Sequence, residues 1–443
     1  MNSMTSIPSK NRSIWDTPVF NSKSASIFLP FLLILDVSMT GILPGTIIAL
    51  IAVILFCAMT IARNLYLAVP AVIFYYSQLG VLFGVSVYRI CTLLFLFSLV
   101  LEKSKRNTEK KRIYILPVLV FTAYLLFVLS EDSIRQTIFT LVDIIFVLTL
   151  IFFHLKDIDK LKTFFRVYIA VAFVAYLSGL LIGVEMSAYE EIGGTTVELS
   201  RVMATFNDPN YMGFFYSIGV FATMTLKLFK TPLQIVIVIL LYVMIAASLS
   251  ITAILGNILF WVVYLFAFCK VKFRTIFFIG IAVFAIVNLY NYGLSNPDAP
   301  IIGNLSARIV GKISALEHND INSFTTSRAE LSQNNLHFFL QQTNPLRLLF
   351  GGYKVNALVH DPFINGGHVA HNEYIDLLLN VGLIGSIIFL TFHLIRLISS
   401  FKKYRENSDP SAAFVFMIKT IWLYYSFGLT LFLEPRFFLF FFI

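Results

Sequence analysis

Three residues in the second half of this 443-residue chain are of types that suit chemistry on an anionic substrate. Arg201 stands in Ser200-Arg201-Val202-Met203-Ala204-Thr205-Phe206-Asn207-Asp208-Pro209-Asn210-Tyr211. Arg328 follows Ser327 in a long polar stretch, and His371 opens the run His371-Asn372-Glu373-Tyr374. A guanidinium presents a planar, permanently charged fork to phosphate oxygens. An imidazole can accept a proton near neutrality. Asn207-Asp208-Pro209-Asn210 reads as a turn that starts a helix, with backbone N–H groups able to meet an anion, so Asn207 and Asn210 are candidate substrate contacts. Asn372 and Tyr374 are candidates through their place beside His371. A helix beginning at His371 would disfavour the protonated imidazole through its dipole and leave the ring a base.

The same residues admit plainer roles. An arginine beside a membrane span also serves as an interfacial anchor. Arg328 could pair within its loop with Glu330 or Asp320, and Asn372 rather than His371 could cap the helix. His360, Asp361, His368, His371 and Glu373 offer nitrogen and oxygen ligands in a short stretch but match no structural-zinc spacing, so neither metal nor cofactor is expected. Asp36 and Asp143 lie in apolar runs, where ionisable groups are costly. Asp143 is expected to make a buried structural contact, with pairing to Arg89 the alternative. Lys419 reads as a snorkelling residue.

The elements that position these groups follow from composition. The chain is 58% hydrophobic and only 13% charged, too little charge to cover a soluble protein of this size. Apolar runs of about twenty residues recur, which makes it an all-α, polytopic helical membrane protein. The short alternating segments of a β-barrel are absent. The formal charge of +9 resides in clusters between the apolar runs, at 103–112, 156–166, 230, 270–274 and 402–405. That pattern sets topology and gives no reason to invoke nucleic acid. Cys57, Cys91 and Cys269 lack metal or redox spacing and read as packing residues.

Counting apolar runs against basic clusters gives about 13 spans, with one more or fewer tolerated because the opening segments are short. They include Leu67–Gly84, Val167–Val184, Tyr211–Phe229, Glu373–Ile398 and Ala412–Leu433. Residues 1–25 form a cytoplasmic tail, and 26–294 a helix bundle with an outer loop at 185–210. A large outer loop occupies 295–370, and the closing helices 371–443. All basic clusters fall on one side, and both polar loops on the other. Within the large loop, Ser327 to Leu340 has apolar residues at roughly helical spacing and Asn344-Pro345 would stop such a helix, while Gly351-Gly352 and Gly366-Gly367 mark turns.

These segments resemble the O-antigen polymerase/ligase superfamily of bacterial envelope enzymes. His371-Asn372-Glu373-Tyr374 followed by Gly382-Leu383-Ile384-Gly385 looks like the family's His-Asn-x-aromatic stretch and its helix. Arg201 with Asn207, Pro209, Asn210 and Gly213 is similar to its outer-loop arginine motif. Ser327-Arg328, Asn344-Pro345 and Leu349-Phe350-Gly351-Gly352 resemble its large-loop segment. One departure is Ser250-Ile251, where members often carry Ser-Arg. The resemblance implies a GT-C-like fold and a metal-independent glycosyltransferase acting on undecaprenyl-pyrophosphate-linked oligosaccharide. The site would face the periplasm from the inner membrane, and a separate membrane protein would regulate chain length. Arg201 and Arg328 would grip the pyrophosphate and His371 would accept a proton. A Wzy-type polymerase is preferred because the outer loops lack a recognisable acceptor-binding module. A ligase that delivers finished glycan to lipid A-core or to protein is the alternative, ahead of a lipid-linked sugar flippase.

Overall fold

The computed structural model describes residues 28–35, 37, 45–61, 65–76, 81–82, 85–103, 134–151, 155–183, 185–192, 195–268, 273–299, 301–325, 328–351, 371–429, 431 and 435–443. The expected tail at 1–25, the span expected near 113–130, most of the 103–112 cluster, Asp36, Cys269, His360, Asp361, His368 and the glycine pair at 366–367 lie outside them. The described chain is mostly helical. Its helices begin with α1 (Gly45–Ile61), α2 (Val69–Phe74), α3 (Val87–Lys103), α4 (Ile134–Leu150), α5 (Ile158–Ile182) and α6 (Pro209–Leu226). There follow α7 (Thr231–Ala247), α8 (Ile251–Phe268), α9 (Phe273–Ser295), α10 (Ile302–Glu317), α11 (Ile321–Thr325) and α12 (Arg328–Leu340). The series closes with α13 (Pro345–Phe350), α14 (Glu373–Asn407), α15 (Pro410–Tyr425) and α16 (Phe438–Phe442). Among the described residues, α5, α8 and α14 are long and apolar enough to cross a membrane, and α7 is a shorter apolar helix. Leu233, Ile235, Val236, Ile239 on α7 and Ile258 and Phe266 on α8 are exposed, the apolar outer faces that lipid would cover.

Three expectations are corrected. The 67–84 run is not one helix. Pro70 starts the six-residue α2, and a two-residue ladder of β1 (Val81–Leu82) with β2 (Val85–Ser86) follows. The basic stretch 156–166 is largely the first turns of α5, capped by Asp157, whose side chain accepts from the backbone N–H groups of Asp159 and Lys160. The fold is also not purely helical, because the first outer loop forms an antiparallel hairpin. Its strands, β3 (Glu185–Ile192) and β4 (Thr195–Val202), pair from Glu185 with Val202 to Ile192 with Thr195. Thr195, Thr196 and Val197 favour extended backbone. Cys57 and Cys91 are free thiols.

Packing between membrane helices gains little from the hydrophobic effect and rests on close contact and internal hydrogen bonds. Both operate where α6 meets α8 and α15. A Cβ on Gly213 would lie 2.6 Å from that of Ala253, so only glycine lets α6 approach α8 there. One turn deeper, Asn257 donates to Ser217 Oγ at 2.7 Å, and Ser217 lies 2.9 Å from the Tyr425 hydroxyl, tying the three helices together. Asp143 is buried on α4, with no hydrogen bond to Oδ1 among the described residues.

Helix α14 is broken at Gly382, whose φ of 65° and ψ of −173° are open only to glycine. Its amide lies against another positive-φ glycine, Gly351 at the end of α13 (φ 78°). A Cβ on Gly382 would come within 2.4 Å of the Gly351 nitrogen. The end of α13, within the large loop, is thus clamped, backbone to backbone, to the bend in α14. Ser386 Oγ donates to the Gly382 carbonyl at 2.7 Å, satisfying a group the break would otherwise strand.

Candidate functional site

Strand β4 carries Arg201, paired in register with Met186, and buries its side chain. Arg201 Nε donates to the Ser248 carbonyl at 3.0 Å, in the turn between α7 and α8, and Nη2 donates to Asn210 Oδ1 at 3.3 Å. Ser250 Oγ donates to the same Oδ1 at 2.8 Å, while Asn210 Nδ2 donates to Asp208 Oδ1 at 2.8 Å. Donors at one end of the amide and an acceptor at the other fix which way Asn210 points. Asp208 caps α6 and Pro209 fills its first position, as the turn signal predicts. The backbone N–H of Asn210 is taken by Asp208 at 2.6 Å, so the open helix N-terminus expected here is replaced by the Asn210 side chain.

The large loop supplies the facing wall. Helix α10 folds back on α9 and packs against β3, and α11 leads to α12, which begins at Arg328. Arg328 Nη1 donates to the Gly428 carbonyl, just beyond α15, at 2.7 Å. Burial pushes the Arg328 guanidinium below its ordinary pKa, Asp208 opposes this, Arg308 reinforces it, and Tyr211 opposes it. The loop ion pairs considered for Arg328 do not form. Glu330 accepts from Asn322, and Asp320 accepts from the Ser323 backbone and hydroxyl, bonds that hold the Asp320 carboxyl below its usual range.

Between the walls lies a cavity of about 370 Å³. Arg201, Asn210 and Arg328 line it, and so do Arg308 and Lys312 of α10 and Asn372. Phe324, Tyr424 and Phe427 give it an aromatic side. No Asp or Glu is among the lining residues described. Sequence reasoning missed Arg308 and Lys312; their only signal is a four-residue spacing within a helical stretch. The structure therefore brings together both arginines and two of the four polar candidates from separate segments.

The remaining candidates stand differently. Asn372, not His371, caps α14, its Oδ1 accepting from the Tyr374 N–H at 3.1 Å. His371 precedes the cap in left-handed conformation (φ 50°), is half-buried, and adjoins the lining without belonging to it. The helix-dipole argument thus applies to it one residue outside the helix. Tyr374 does not line the cavity; its hydroxyl donates to the Leu423 carbonyl at 2.7 Å, anchoring α14 to α15. Asn207 is exposed and outside the lining. Glu373 is buried, accepts from the Leu431 N–H, and its own N–H donates to the Ser426 carbonyl at 2.8 Å, so it organises the turn after α15.

Lys419 is not a snorkelling residue. It is fully buried on α15 and donates to the carbonyls of Phe440 (3.1 Å) and Phe441, because α16 folds back into the bundle. Among the described residues no cluster of three or more His, Cys, Asp or Glu could hold a metal. No family model and no curated protein matches this chain.

Proposed function

We propose that this chain is a membrane glycosyltransferase that polymerises lipid-linked oligosaccharide repeat units. It would move a growing O-antigen or capsular glycan from undecaprenyl pyrophosphate to a sugar hydroxyl of the next lipid-linked unit. The observation that carries this reading is the convergence of Arg201 and Arg328, from segments far apart in sequence, on one cavity that no described carboxylate lines. In the bundle of about 13 spans that the apolar runs suggest, of GT-C-like kind, this cavity opens on the periplasmic side of the inner membrane.

The acceptor hydroxyl oxygen bonds to the anomeric carbon of the donor. The bond from that carbon to the diphosphate oxygen breaks, and its electron pair stays on the diphosphate. Arg201 and Arg328 neutralise the charge that develops there, which is the work a divalent ion does in other transferases. His371, adjacent to Asn372 of the lining, takes the hydroxyl proton. Ile251 faces the cavity where the resembled family often has arginine, and Arg308 and Lys312 bring positive charge to the same space from α10.

Deleting the gene and examining surface glycan tests the reading. Surface glycan reduced to single repeats is expected. Full-length chains left on the lipid carrier would instead indicate a ligase, and repeats trapped on the cytoplasmic face a flippase. Purified protein should keep its turnover in excess chelator, and H371A should lose it; full activity in H371A would remove His371 as the base.

A further inference from the structure

Arg201 and Arg328 suffice for a donor diphosphate, and two more cations line the same cavity. Arg308 and Lys312 are four residues apart on α10 and so share one face. Both are buried, at 6% and 7% exposure, and both line the cavity. Lys312 Nζ donates to the Ser323 carbonyl at 2.6 Å, which fixes it at the start of the facing wall. Four cations line about 370 Å³ of space and no described carboxylate does, so the cavity suits an anion.

Given the transfer reading, the donor diphosphate is a diester with one negative charge on each phosphate. Breaking its glycosyl bond leaves a terminal phosphate monoester, whose second ionisation near pH 6 adds most of a third charge at neutrality. The charge grows only as the product forms. We propose that Arg308 and Lys312 form a subsite for the terminal phosphate of the departing polyprenyl diphosphate. The subsite makes a free diphosphate terminus a tighter ligand than the donor diester, and hence a product inhibitor.

The test uses the full chain in lipid nanodiscs and measures binding of geranyl diphosphate, inorganic pyrophosphate and geranyl monophosphate. Diphosphates should bind at least about tenfold tighter than the monophosphate. R308Q and K312Q should each weaken diphosphate binding by roughly tenfold, with R308K and K312R restoring most of it. Geranyl diphosphate should compete with the donor in wild type and less well in R308Q. Equal affinity for mono- and diphosphates, or R308K and R308Q both indistinguishable from wild type while folded, would overturn the subsite. Transfer that proceeds without diphosphate inhibition would overturn it and leave the transfer reading standing. Tight, Arg308-dependent diphosphate binding with no transfer would support it and sink the transfer reading.

Discussion

Two groups of cations in this protein, buried or half-buried, differ in what they border. Lys419 and Arg436 are enclosed by the chain itself. Lys419 donates to two carbonyls of α16, with the Phe441 ring 5.1 Å away. The Arg436 guanidinium lies among the rings of Tyr76 at 5.0 Å, Phe206 at 5.4 Å, Tyr211 at 5.9 Å and Phe215 at 6.0 Å. Arg201, Arg308, Lys312 and Arg328 instead surround a space. The first group clasps the segment 435–443 to the bundle, with carbonyl dipoles and ring faces meeting the charge. Cations of the second group also donate to carbonyls, those of Ser248, Ser323 and Gly428, but they line a common space, an arrangement suited to a ligand. Burial of a cation is therefore a poor guide to function; what surrounds it decides.

Substitutions should separate the two groups. The largest effect is expected from R201Q or R328Q, a fall of about 10²–10³ in kcat/KM, as for removal of a preorganised donor at a transition state. Each also strands the carbonyl it bonds, of Ser248 or Gly428, so the midpoint should fall slightly; a folded variant that keeps its kcat/KM would place these arginines with the clasp. K419M should do the reverse. It strands two buried carbonyls at about 1–3 kcal/mol each, lowering the unfolding midpoint while the folded fraction keeps its diphosphate affinity. G382A puts a methyl against the Gly351 backbone at a φ of 65° and should cost about 1–3 kcal/mol. Hydrogen exchange should rise in α13 and the start of α14; unchanged protection would mean the clamp is dispensable.

The smallest effect belongs to a cation with its own carboxylate. Lys403 lies 2.7 Å from Asp409, which caps α15. Partial burial raises the Asp409 pKa, but the bonds from Lys403 and Ser411 outweigh it and leave the carboxyl below its ordinary value. The ionised form is therefore favoured on folding. Its contribution is full above the usual carboxylate pKa of about 3.9 and is lost as pH falls through the lower folded value. D409A should cost about 1 kcal/mol at pH 7 and flatten the acid limb of the stability curve; an unchanged limb would dismiss the pair.

Legibility in the sequence followed the range of the interactions. The helix start at Asp208-Pro209, the helix running to Leu340 and its stop before Asn344-Pro345 are set by neighbours within four residues, and they stand where the sequence places them; the sequence does not foretell that Asn344 also caps α13. Arg201 and Arg328 were visible because each sits in polar, turn-rich sequence beside an apolar run. Arg308 and Lys312 were not, because which face of α10 is buried depends on its packing against α9 and β3. Lys419 looked like an anchor because the carbonyls that answer it come from residues 440 and 441. The hairpin is not legible because the polar make-up of 185–210 marks an outer loop, and strand pairing there depends on residues up to seventeen apart.

The most direct test of the diphosphate assignment is a single-turnover reaction in nanodiscs with a synthetic polyprenyl-diphosphate-linked oligosaccharide as both donor and acceptor. Wild type should release one polyprenyl diphosphate for each new glycosidic bond, and R201Q/R328Q should release none while remaining folded. Equal bond formation by the folded double variant, or no bond formation by wild type, would contradict the assignment.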